Sequence, residues 1–122
     1  MRFGDIDFLG HVTNTAYLHY AESVRATFMR EIGMWQPGQV RQGVIVHHEV
    51  DYLRELGYPA RLRLGLSVVD VSERSYAVVQ GVFFEDLCRA VVLTRMVRMD
   101  TQTRRAVPLD SREHAALSAW RV

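Results

Sequence analysis

The sequence predicts an α+β fold: a five-stranded antiparallel sheet packed against one long helix, with a short helix at the C-terminus. Two observations carry that expectation. Residues 14–32 place apolar side chains at three-to-four spacing, and residues 43–100 alternate apolar and polar side chains in runs divided by turn residues. A third observation sets the scale. The 122 residues are 48% hydrophobic and 24% charged, the balance of one globular domain, taken here as residues 1–122.

The elements follow in chain order. Residues 2–6 are short and extended in character, the end of a first strand. Residues 7–13 read as a loop. From Asn14 to Ile32, the residues Tyr17, Tyr20, Ala21, Val24, Phe28 and Ile32 form an apolar stripe, while His19, Glu22, Arg25 and Arg30 fall mostly elsewhere. Thr13 or Asn14 can cap this helix and Gly33 can end it. Residues 34–42 loop around a Pro-Gly turn.

In the next segment Val44, Val46, His48, Val50 and Tyr52 fall on one face, and Ile45, His47, Glu49 and Asp51 on the other. A break at 57–60 precedes a strand in which Leu62, Leu64, Leu66 and Val68 alternate with Arg61, Arg63, Gly65 and Ser67. Residues 70–75 turn. Residues 76–84 are apolar on both faces, as in a central strand. Residues 85–89 turn again before the strand 90–100, and residues 101–108 loop out. A short amphipathic helix starts at Asp110 or Ser111 and runs through Trp120. Long strands joined by short turns pair antiparallel. One helix covers one sheet face, so the other is left partly bare unless a second subunit covers it.

Several function classes are excluded or disfavoured. The net charge is +1, and the arginines do not form a basic patch interleaved with aromatics, so no nucleic acid is expected as a partner. All 15 basic residues are arginine, which removes Schiff-base and P-loop lysines. No apolar run is long enough for a membrane span. One cysteine, Cys88, cannot close an internal disulfide, and the expected setting is cytoplasmic. His47 and His48 point to opposite faces of a strand and cannot chelate one metal together.

The stretch with most chemistry precedes the long helix: Asp5, Asp7, Gly10, His11 and Asn14. On an extended backbone Asp5 and Asp7 point to opposite sides, so they are not a proton-sharing pair. Either is satisfied as an Asx-turn or solvated residue. One can also face the helix N-terminus as a base or nucleophile. The free N–H groups and positive dipole end of a helix polarise a carbonyl or hold an oxyanion. A carboxylate just upstream of them is the arrangement acyl transfer needs.

The run R-F-G-D-I-D-F-L-G-H-V-T-N-T-A-Y-L-H-Y-A-E-S-V-R resembles the hotdog-fold acyl-CoA thioesterases, in the 4-hydroxybenzoyl-CoA and tol-pal-associated branch. "YLRELGYPARLRLGLSVVDVSERS" and "VRMDTQTRRAVPL" extend the likeness more weakly over nearly the whole chain. The resemblance implies a thioester hydrolase with Asp7 as general base or nucleophile. Gly10 shapes the loop, His11 and the Asn14 side chain orient Asp7 or the substrate, and the backbone N–H at Asn14 polarises the carbonyl. Tyr17 lines the acyl pocket. Arg61 and Arg74 are candidates for the CoA phosphates, and Ser75 for the pocket or nucleotide arm. No metal or cofactor is implied, CoA being part of the substrate, and a homodimer or homotetramer is. Two departures stand out: Thr13–Asn14 replaces a usual Asn-Asn pair, and Ser72–Ser75 lacks the glycine of a G-x-x-S signature. An acyl-carrier-protein thioesterase and a non-catalytic acyl-thioester binding module are the competing readings.

Overall fold

The computed structural model describes residues 14–54 and 61–121, with side chains from Ala16 onward. The strand expected at 2–6 lies outside the described residues, as do Asp5, Asp7, Gly10 and His11. Helix α1 spans Asn14–Glu31. Gly33 closes it at φ 78°, a left-handed conformation that lets Met34 N donate to Met29 O at 2.8 Å and satisfies a last-turn carbonyl. Gly38 also has positive φ, at 76°. It follows Pro37 in a turn closed by Gln39 N donating to Gln36 O at 3.2 Å, the geometry that Pro-Gly favours.

Strands β1 (Arg41–Tyr52), β2 (Arg63–Val71), β3 (Ser75–Phe84) and β4 (Leu87–Asp100) form an antiparallel sheet in the order β1-β4-β3-β2. The segment 101–108, expected to loop out, instead folds back. Arg105–Val107 form β5, pairing with Arg98–Asp100 of β4, beyond the last β3 partner at Val97. Asp100 makes this return possible, since its Oδ1 accepts from Gln102 N at 2.8 Å and Thr103 N at 3.1 Å. The fifth described strand is therefore β5, while the strand read at 2–6 lies outside the description.

Two more expectations change. The turn read at 85–89 is only Glu85–Asp86, both with positive φ (52° and 64°), and Cys88 and Arg89 belong to β4. The single face assigned to Val44 through Tyr52 is broken by a β-bulge at Val46, where the register with β4 shifts between Ile45 and His47. Ile45 pairs with Met96, while His48, Val50 and Tyr52 pair with Thr94, Val92 and Ala90, all on the helix side. Val44 points away from that side. Ala90, Val92, Thr94, Met96 and Arg98 are the buried alternation of β4.

Helix α1 packs on this face, across β2, β3 and β4. One core cluster joins Phe28, Met29 and Met34 to Val68, Tyr76, Val78, Met96 and Leu117. A second, nearer the start of α1, joins Ala16, Tyr17 and Tyr20 to Val82 and Ala90. The opposite sheet face carries half-buried Val79, Val91, Leu93 and Val97. Helix α2 (Ser111–Ser118) starts as expected, with a capping box: Glu113 N donates to Asp110 Oδ1 at 2.8 Å, and Asp110 N to Glu113 Oε1 at 2.9 Å. This order, one long helix laid on an antiparallel sheet and a short terminal helix, is the hotdog fold.

Candidate functional site

Asn14 opens α1, so the first turn of the helix, whose N–H groups have no acceptor within the helix itself, follows in sequence on the segment that holds Asp7, Gly10 and His11. No acidic residue stands in the first helical turn, so no carboxylate there offsets the positive dipole end. One turn in, Tyr17 is buried, with its ring edge-on to Tyr20 at 6.3 Å and to Tyr52 of β1 at 5.3 Å. Ala16, Val82 and Ala90 complete this apolar wall, with Leu62, Leu64 and Phe84 packed against it. The helix end thus combines a source of positive potential with an apolar, aromatic floor.

The arginine and serine candidates divide between the two ends of the sheet. Arg61 is exposed and immediately precedes Leu62, which packs on the Tyr17 wall. Arg74 and Ser75 sit at the far end of β2, Arg74 in the turn and Ser75 as the first residue of β3. The nine residues of β2 separate these ends by roughly 30 Å at the usual rise per residue. Arg74 is exposed. Ser75 is half-buried, its hydroxyl 2.8 Å from that of Ser72, and it accepts from Arg95 Nη1 at 3.4 Å. Within one chain, Arg61 shares the Tyr17 end and Arg74 and Ser75 do not.

A buried polar network lies farther along α1. Arg25, only 5% exposed, donates from Nη1 to Gln80 Oε1 at 2.8 Å and to Thr94 Oγ1 at 3.3 Å. Gln80 Nε2 donates to the carbonyls of Val78 and Val92, which fixes its amide with Oε1 toward Arg25. Thr94 Oγ1 donates to the same Oε1 at 3.1 Å and lies 3.0 Å from His48 Nδ1. A hydroxyl carries one proton, so the His48 ring then donates to Thr94. Burial pulls the Arg25 guanidinium below its ordinary pKa, and Glu22 partly offsets this. Burial also lowers His48, and the Arg25 charge lowers it further.

The family model described as "Thioesterase-like superfamily" matches residues 1–120. The chain belongs to the thioesterase-like superfamily. Two solved structures place that membership in three dimensions. The PA5185 protein of Pseudomonas aeruginosa PAO1 superposes with a TM-score of 0.89 at 25% identity, over 99% of this chain and 87% of its own. A thioesterase from Thermus thermophilus, complexed with coenzyme A and Zn, superposes at 0.86 with 28% identity, over 98% and 88%. A curated relative, the uncharacterized protein YsmA of Bacillus subtilis (strain 168), is 27% identical over 75 residues. That match covers 62% of this chain and about half (51%) of the relative's length.

For a thioesterase-superfamily chain, the Arg25–Gln80–Thr94–His48 network is the part that the sequence reading missed. Its signals were present. Arg25 stands four residues after Ala21 and four before Met29, on the buried stripe rather than off it. Gln80 is the lone polar residue of the apolar run 76–84, and both it and Thr94 are fully buried. His47 pairs with Glu49 at 3.1 Å on the exposed side of β1. Among the described residues, no three His, Cys, Asp or Glu side chains are grouped so as to hold a metal ion. No described helix is long and apolar enough to cross a membrane.

Proposed function

We propose that the chain hydrolyses an acyl-CoA thioester to a carboxylate and free CoA. The observation that carries this reading is the family match over residues 1–120, on a chain whose D-x-D-x-x-G-H-V-T-N stretch runs directly into the start of α1. Asp7 takes a proton from water as the water oxygen attacks the thioester carbon. The carbonyl oxygen, gaining charge, is met by the backbone N–H at Asn14 and the helix dipole. The C–S bond then breaks, and the CoA thiolate takes the proton back from Asp7. Direct attack by the Asp7 carboxylate, followed by hydrolysis of the anhydride, is the alternative order. Gly10 lets the loop approach the substrate, and His11 and the Asn14 side chain orient Asp7 or the substrate. The buried ring of Tyr17 supports an acyl-lining role. Arg61, at that same end of the sheet, is favoured over Arg74 and Ser75 for the CoA phosphates near this helix start. No step calls for a metal.

The working unit in this proposal is a homodimer, able to pair further into a tetramer. Among the described residues β1 pairs with β4 alone, leaving an open edge. Beside that edge Ile45 (41%), Val46 (55%) and Tyr52 (48%) are exposed. The setting expected for such a protein is the cytoplasm. Release of free thiol from a panel of acyl-CoAs, beside the matching acyl-carrier-protein thioesters, tests the activity. Turnover of acyl-CoA supports the proposal. Turnover of carrier-protein thioesters alone favours the carrier-protein reading, and tight binding without turnover favours a binding module.

A further inference from the structure

A cavity of about 290 Å3 lies between α1 and the sheet, eleven residues along the helix from Asn14, or roughly 16 Å at the helical rise. Its apolar lining comes from Met29, Met34 and Met96, and the fully buried ring of Tyr76 joins them. Arg25 lines it too, and is the unusual member. An arginine that is only 5% exposed normally faces a carboxylate. Arg25 instead holds two neutral acceptors, Gln80 and Thr94, both through Nη1. Its Nε and Nη2 make no hydrogen bond among the described residues, and they form the edge that binds a carboxylate in bidentate fashion.

The neighbouring charges do not cancel it. Glu22, one turn earlier on the lining, is exposed and makes no ion pair with Arg25. Arg98 is already paired with Glu113 at 2.8 Å, and Arg30 lies over the Trp35 ring at 5.3 Å. Among the described residues, the cavity therefore offers an apolar body site and a largely buried cation with two nitrogens free to donate.

We propose that this cavity is a binding site for a small amphiphilic carboxylate, its carboxylate held by Arg25 Nε and Nη2 and its apolar part by the three methionines. The volume suits a short-chain or single-ring acid. Such a carboxylate has two sources: a free acid, or the distal carboxylate of a dicarboxylic acyl thioester. Binding of the free acid is read without turnover, so that arm stands or falls separately from the thioesterase reading.

The test titrates the full chain with hexanoate and benzoate, and with the uncharged hexanamide and benzamide, by calorimetry. The same titrations use Arg25→Met and Ala26→Phe. Ala26 is exposed at the cavity lining, so the phenylalanine can fill the space while leaving Arg25 and the fold in place. The acids are expected to bind at least about tenfold more tightly than the amides, with that preference lost in both variants. If the acids do not bind, the thiol-release rate of a long dicarboxylic mono-CoA thioester is compared with that of its methyl ester. A preference for the acid that Ala26→Phe removes assigns the site to the substrate's distal end. Equal binding of acids and amides, or acid binding untouched by Ala26→Phe, overturns the proposal, as does the absence of both effects.

Discussion

Glu113 shows how one side chain can tie several elements together. It is 1% exposed, caps α2 through Asp110, and meets Arg41 of β1 and Arg98 of β4. Burial alone would raise its pKa, but the Arg41 hydrogen bond, the Asp110 backbone and the Arg98 charge outweigh that and hold it below the usual carboxylate range. A carboxyl depressed in the fold adds stability above its unfolded pKa, which is lost as pH falls through the folded value. Glu113→Gln is expected to cost about 3–5 kcal/mol in urea unfolding near neutral pH, because Arg98 is left buried and uncompensated. The variant should also lack part of the acid-induced loss of stability below about pH 4.5. Arg25 makes a spectroscopic prediction. Its charge lowers the His48 pKa, so Arg25→Met should move the His48 ring titration upward in NMR. The role proposed for Asp7 rests on the resemblance of its motif, since residue types and order alone leave Asp5 and Asp7 both open. The setting of Arg25 could not be read from the sequence, because a charged residue beside Val24 and Glu22 reads as solvated until the strands supplying Gln80 and Thr94 are in place.

At the scale of elements, α1, the central strand β3 and the start of α2 were legible, since each rests on a local period or a capping residue. Asp110→Ala should cost about 1 kcal/mol, the usual loss for an N-cap, measured by thermal or urea unfolding. What escaped the sequence was set by pairing. The bulge at Val46 appears only when β1 is aligned with β4, and it moves Val44 to the far side from His48. The polar segment 101–108 reads as a loop, yet Asp100 turns it and the end of β4 offers unpaired backbone beyond Val97, so three residues join the sheet. The β3–β4 turn shortened for a similar reason: Glu85 and Asp86 accept left-handed φ because the flanking strands demand a tight connection.

At the scale of the whole molecule, one helix covers one face of the sheet, leaving β1 and its exposed apolar side chains at the margin. Sedimentation at micromolar concentration should find a dimer or larger. Replacing Ile45 and Val46 together with glutamate should shift the mass toward the monomer, by placing charge on the open edge. A wild-type monomer would remove the edge from the account. The fold class was legible because helix and strand periods divide cleanly along the chain. The division of Arg61 from Arg74 was not drawn, since the resemblance offers both for the CoA phosphates although they flank one strand and stand at opposite ends of it. The central claim is thioester hydrolysis at the start of α1, and the direct measurement is thiol release by Asp7→Asn beside the wild type on the best acyl-CoA of the panel. The account predicts that kcat falls at least about a hundredfold while the variant stays folded. Full activity in Asp7→Asn would contradict it.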